Sequence, residues 1–235
     1  MRFLKRLIDD VRALDDSRLI SAALLGGGPE QFAEIIAHIA ARSLAAGGLS
    51  HEDETVFKGV LAQLGDAAPG PADGYTVMID DPLGELTDVV AYNEYFGWYY
   101  SAFFSAQLGV GEDVLRPRML ELMRDMRVRA SVEKPVHISE FGAGAKGGRR
   151  GGEALIWTEE YQAKVYEAQI AMLRNSPQVQ GMTPWILKDF RAMLRPLAGV
   201  QDYFNRKGLI DETGNRKLAF DVLREFYAGE WADAD

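Results

Sequence analysis

The sequence predicts an α/β protein with a parallel sheet, and three observations carry that prediction. Four short apolar runs, each of strand rather than helix length, alternate with segments of helical periodicity. The order is α, β, insertion, then β-α three times, which parallel strands with right-handed crossovers satisfy. At 47% hydrophobic and 26% charged residues, the 235-residue chain has an ordinary globular mix and can bury a sizeable core.

Residues 2–14 place Leu4, Leu7, Ile8, Val11 and Leu14 on one side and charges on the other, an amphipathic helix. Asp15, Asp16 and Ser17 make a turn, and RLISAALL (18–25), bounded by Gly26, Gly27 and Gly28, reads as a buried strand. From Pro29 to about residue 74 the pattern changes to an inserted helical hairpin, with helices near 31–46 and 53–64 and the Pro/Gly-rich exit DAAPGPADG. Three β-α pairs follow. DVVAYNEYFG (88–97) precedes a helix near 112–127, and PVHISEFG (135–142) precedes a helix over 159–174 with Tyr161, Val165, Ala168 and Met172 on one face. QGMTPWIL (180–187) leads through a long loop to a last helix near 217–228.

A complete (β/α)8 barrel needs eight strands in roughly 250 residues. Four strands and an insertion over about 29–74 make the chain, 1–235, a single partial barrel domain. A five-stranded open flavodoxin-like sheet is the alternative. Either puts working residues in the loops after the strands' C-terminal ends. Half a barrel also has two open edge strands, RLISAALL and QGMTPWIL, and an uncovered inner face, expected to be apolar. Self-association, a partner supplying the other half, or cover by the 29–74 helices, through Ile35, Ile36, Ile39 and Ala40, is therefore expected.

The net charge of −9 disfavours a phosphate-neutralising nucleic-acid binder. Without cysteine there are no disulfides, thiolate nucleophiles or thiolate metal sites. Asp9 and Asp10 interrupt any leader-like apolar segment, and no run approaches the roughly 18–20 residues that span a bilayer. No membrane association and a cytoplasmic location are expected.

Glu140 ends a buried apolar run just before glycine in HISEFGAG, where a carboxylate on a rigid strand end suits nucleophilic or acid/base work. Pairing with a nearby cation is its bland alternative. His137 reads as a satisfied core histidine. YNEYFGWYY (92–100) concentrates aromatic faces that stack on sugars, with Asn93 able to donate to and accept from hydroxyls, although an aromatic core explains such runs as well. TPWILKDFR adds Trp185 at another strand end, and QDYFNRKGL adds Asn205 and Lys207 in a polar loop. GAGAKGGRRGG (142–152) lacks the Gly-Lys-Ser/Thr of a phosphate loop and reads as a mobile loop. His38, His51 and His137 have no metal-ligand spacing, so neither metal nor cofactor is expected.

Together NEYFGWY (93–99), PVHISEFGA (135–143), Trp185 with DFR (189–191) and FNRKGLIDETGNRKLAF (204–220) resemble the C-terminal half of the catalytic barrel of glycoside hydrolase family 2, its β-glucuronidase branch above all. The likeness runs over most of 75–228, and residues 2–25 resemble the preceding helix and strand; the 29–74 hairpin does not match. The resemblance implies Glu140 as catalytic nucleophile, Tyr95 as the tyrosine touching it, Asn93 as a polar residue of the mouth and Trp185 as the floor of a sugar site. It implies Asn205 and Lys207 as the Asn-x-Lys pair facing a uronate carboxylate, a pair whose string also occurs in relatives with other substrates. It implies a retaining β-glycosidase with a carbohydrate ligand. The family's acid/base Glu, in an Asn-Glu dipeptide of an earlier strand, has no counterpart here; Asn93-Glu94 imitates the dipeptide but aligns with a later strand. The chain alone is thus expected to be weakly active or inactive. A non-catalytic carbohydrate-binding or scaffold half-barrel, a truncated gene product and a β-galactosidase-like relative are the alternatives.

Overall fold

The computed structural model describes residues 2–24 and 29–232, with side chains described over 2–24 and 31–229. Helix α1 (Arg2–Leu14) leads to strand β1 (Ser21–Leu24). Helices α2 (Pro29–Ala46) and α3 (His51–Leu64) and a 3-10 turn come next, then β2 (Thr76–Ile79), α4 (Leu83–Leu86), β3 (Val89–Asn93), α5 (Phe96–Leu108) and α6 (Glu112–Asp125). The chain continues with β4 (Arg127–Ala130), β5 (Val136–Phe141), α7 (Glu159–Arg174), β6 (Val179–Pro184), β7 (Phe190–Arg191), β8 (Phe204–Asn205) and α8 (Leu218–Ala232). Leu25, the expected end of the first strand, and Gly26–Gly28 lie outside the described residues.

The four expected strands form one parallel sheet in the order β1-β3-β5-β6. That order advances along the chain without reversal, whereas a flavodoxin-like sheet needs a switch point. Rows of partners fix its two faces. Leu24, Tyr92, Ile138 and Met182 lie side by side and enter the main core. Ala23, Ala91, His137 and Gly181 make the neighbouring row on the opposite face. Small and polar side chains hold that face, with Ser21, Ala23 and Thr183 exposed, so the expected apolar inner face is not found. Gly181 makes room for the imidazole, since a Cβ there would lie 2.9 Å from His137 Nδ1. His137 Nε2 pairs with Thr183 Oγ1 at 2.9 Å, which gives one ring nitrogen a partner at a partly exposed position rather than in the core. The outer strands are β1 and β6, the two expected open edges.

The other expected helices are present, and α7 begins at Thr158, whose side chain accepts from Tyr161 N. Four features were not foreseen. Helix α5 takes Phe96 and Gly97 from the run read as a strand and continues over residues given no element, because FGWYYSAFFSAQL is apolar all round and shows no polar period. Strands β2 and β4 form a separate parallel pair, with Val77, Ile79, Val128 and Ala130 inward. Side chains, not another strand, serve the far edge of β4: Ser176 Oγ accepts from Val128 N and Gln178 Oε1 from Ala130 N, both at 2.9 Å. The long loop before the last helix folds into the antiparallel pair β7-β8.

Ile35, Ile36, Ile39 and Ala40 of α2 are buried in the main core, so that apolar face is covered within the chain. Phe32 adds contacts to Tyr100 and Phe104 of α5. Helix α1 buries no residue: Leu4 and Ile8 rest against the core, whereas Phe3 and Leu14 are 76% and 88% exposed. Arg12 and Asp88, whose carboxylate also accepts from Ile20 N at 2.7 Å, tie it to the sheet. No helix of the described residues is long and apolar enough to cross a membrane.

Candidate active site

Adjacent strands bring the first pair of candidates together. Asn93, the last residue of β3, stands in register with Glu140 near the end of β5, and an irregularity there leaves Ser139 unpaired. Ser139 Oγ donates to Asn93 Oδ1 at 2.7 Å, fixing that amide. Two residues on, Tyr95 reaches back and its Oη donates to Glu140 Oε2 at 2.8 Å. Burial and the adjacent carboxylate push the Tyr95 phenol well above its ordinary pKa, so it stays a donor.

The second pair arrives from β8. Ile186 N donates to Lys207 O and Leu209 N to Ile186 O, laying the 205–209 segment beside the end of β6. Asn205 Oδ1 accepts from Lys207 N at 3.1 Å, which closes a tight turn. The Lys207 ammonium then extends over the Tyr95 ring, 3.7 Å from its centroid, and donates to Tyr99 Oη at 2.7 Å. Burial, with the nearby Arg195 charge, pulls the Lys207 pKa down to about 7, and Glu140 partly opposes the fall. Trp185, half-buried, sits one residue past β6 and donates its backbone N–H to Phe141 O at 2.8 Å, beside the end of β5.

The six candidates therefore lie at the C-terminal ends of β3, β5 and β6 and in the turn that packs there. Sequence reading missed Tyr99, whose signal was its place four residues after Tyr95 on a helix. The rest of the aromatic run divides by helical face: Phe96, Trp98 and Phe104 are core, whereas Tyr95 and Tyr99 face Lys207. The 142–152 segment, read as mobile, is tied down. Glu159 Oε1 accepts from Gly148 N at 2.7 Å, Lys146 Nζ bonds Gly199 O and Asp202, and Gly147 packs where a Cβ would stand 2.7 Å from Asp211.

Glu94 is not an exposed partner for Glu140. It is 3% exposed and accepts from Phe96 N at the start of α5. Burial raises its pKa from 4.5 to about 7, so the folded form holds more protons than the unfolded form between those values. Its contribution to stability accordingly falls as pH rises through that window. Glu94→Gln keeps the acceptor and removes the charge; melting temperatures should rise at pH 8 and stay unchanged at pH 4. An equal change at both pH values would contradict the assignment.

No protein-family model matches the chain. A β-glucuronidase from Streptococcus agalactiae is 30% identical over 148 residues, 62% of this chain and 22% of that protein. The Mus musculus β-glucuronidase is 28% identical over 151 residues, 63% of this chain and 22% of its own length. The matched part is thus about a fifth of those relatives. Among solved structures, a GH2 β-galacturonidase from Eisenbergiella tayi bound to galacturonate aligns with 75% of this chain and 30% of its own at 23% identity and a TM-score of 0.46. The chain is β-glucuronidase-like in sequence, in line with the motif resemblance.

Proposed function

We propose that this chain supplies the nucleophile side of a retaining β-glycosidase of glycoside hydrolase family 2, with a β-glucuronide as substrate. The observation that carries the reading is the convergence of Glu140, Tyr95 and Lys207 at one end of a parallel sheet. Four parallel strands in chain order suit one half of a (β/α)8 barrel, with Glu140 in its mouth. In this mechanism a Glu140 oxygen attacks the anomeric carbon as the leaving-group oxygen departs with a proton from an acid. Water then attacks the glycosyl-enzyme and frees Glu140. Tyr95 holds the carboxylate in line by its hydrogen bond, and the aromatic Trp185 and the amide of Asn93 suit the sugar. The Lys207 ammonium, with the Asn205 amide as a second donor, suits the uronate carboxylate.

Retaining chemistry requires two carboxylates about 5–5.5 Å apart. With Glu94 turned into the core, the acid is proposed to come from a second half-barrel. Mixing the chain with the N-terminal catalytic half of a β-glucuronidase should hydrolyse aryl β-glucuronides in preference to β-galactosides. Absence of turnover on every glycoside by the reconstituted pair would remove the enzyme reading. The burial of Glu94 also favours a second reading, a non-catalytic uronate-binding module, which binds under the same conditions but never turns over.

Lys207 gives the reading a pH signature. A uronate anion prefers the protonated amine, and this amine titrates near 7. Calorimetry should therefore show methyl β-glucuronide affinity falling above pH 7, approaching about tenfold per unit. Methyl β-glucoside affinity should stay flat. Parallel profiles for the two sugars would exclude Lys207 as the uronate contact.

A further inference from the structure

A buried carboxylate holds both chain neighbours of Lys207. Asp189 lies between β6 and β7 with a fully buried side chain. Its Oδ1 accepts from Gly208 N at 2.8 Å, immediately after Lys207, and its Oδ2 pairs with Arg206 Nη1 at 3.3 Å, immediately before it. Lys217 Nζ neutralises the same carboxylate at 2.8 Å and donates to Arg206 O at 3.2 Å. Asp189 N also donates to Ile210 O at 2.9 Å. Both neighbours of Lys207 are thus gripped from behind by one anion. Gly208 is the residue that permits the approach, since a Cβ there would stand 2.3 Å from Asp189 N.

We propose that Asp189 is a positioning residue: by clamping Arg206 and Gly208 it directs the Lys207 ammonium onto the Tyr95 and Tyr99 rings and so sets preference for a uronate over a neutral sugar. The uronate part of this rests on the proposed role of Lys207; the geometric part does not. Asp189, Arg206 and Lys217 are all buried. The effect of the clamp is transmitted through the backbone on either side of Lys207.

The two parts can be read separately on the full chain. Lys207 Nζ lies 3.7 Å and 4.3 Å from two tyrosine ring centroids, so ring currents should displace its side-chain methylene resonances from those of the other lysines. In lysine-labelled protein, Lys207→Met identifies the displaced signal. Asp189→Asn should return it to the common lysine position, although the variant retains a carbonyl acceptor for Gly208 N. Gly208→Ala, which leaves every charge in place, should do the same and serves where Asp189→Asn does not fold. Both folded variants should lose about tenfold or more in methyl β-glucuronide affinity and nothing in methyl β-glucoside affinity. A folded variant whose Lys207 signal stays displaced overturns the positioning role, and so does an equal loss for both sugars. Should the signal move as expected while the wild-type chain binds no uronate, the clamp stands and the glucuronide reading fails.

Discussion

Glu140→Gln should abolish glucuronide turnover in the reconstituted pair, by at least about 10⁴-fold, the scale set by losing a nucleophile. The substitution is nearly isosteric. Its side-chain carbonyl can still accept from Tyr95 Oη, which lies 2.8 Å from the carboxylate, so fold and sugar binding should survive. Only the attack on the anomeric carbon is removed. Binding of methyl β-glucuronide by the variant at wild-type affinity, with turnover lost, would separate the chemical step from binding.

Glu140→Ala gives a sharper test of the retaining assignment. Truncation opens space where the carboxylate stood, and azide entering there should restore turnover of an activated aryl β-glucuronide. A single displacement inverts the anomeric centre, so the product should be the α-glucuronosyl azide, whereas the wild-type pair returns β-configured glucuronic acid. Residual activity of Glu140→Gln above a tenth of wild type would place the nucleophile elsewhere. Recovery of a β-azide would contradict direct attack from the position of Glu140.

The legible parts of the fold were those whose pattern is local. PVHISEFG gave β5 and the Tyr161, Val165, Ala168 and Met172 stripe gave α7, because a buried strand and an amphipathic helix write their period into neighbouring residues. Helix α5 was hidden because FGWYYSAFFSAQL carries apolar and aromatic side chains on its exposed as well as its buried side, leaving no polar stripe to count. The pair β2-β4 was hidden for a different reason. Each strand has four residues, and β4 is completed by Ser176 and Gln178 from about fifty positions away, a contact that no window of sequence contains. At the candidate site, residue identities were legible from their motifs, but the stacking of Lys207 on Tyr95 and Tyr99 was not. It depends on two backbone segments meeting across 108 positions.

Lys217 was read only as part of a motif, and its replacement should produce the largest loss of stability. It is 1% exposed, and its ammonium donates to both oxygens of Asp189 and to the backbone carbonyls of Ala145 and Arg206. An ammonium buried so deeply is tolerated because each proton has an acceptor; removing it leaves Asp189 with Arg206 as its one charged partner, beside Gly208 N, and takes the Lys217 donor from the Ala145 carbonyl. Lys217→Met conserves most of the volume, so the loss isolates the missing charge and its hydrogen bonds. Breaking one partner of a buried pair costs about 3–5 kcal/mol. For a chain of this size that corresponds to a fall of roughly 10 °C in melting temperature. The cost should shrink in Lys217→Met combined with Asp189→Leu, since removing both charges is far cheaper than stranding one, although Arg206 and Gly208 N still lose a partner. A single variant within about 1 kcal/mol of wild type, or a double variant no better than the single, would show that water or rearranged neighbours satisfy Asp189 and that the cluster does not anchor the β7-β8 segment.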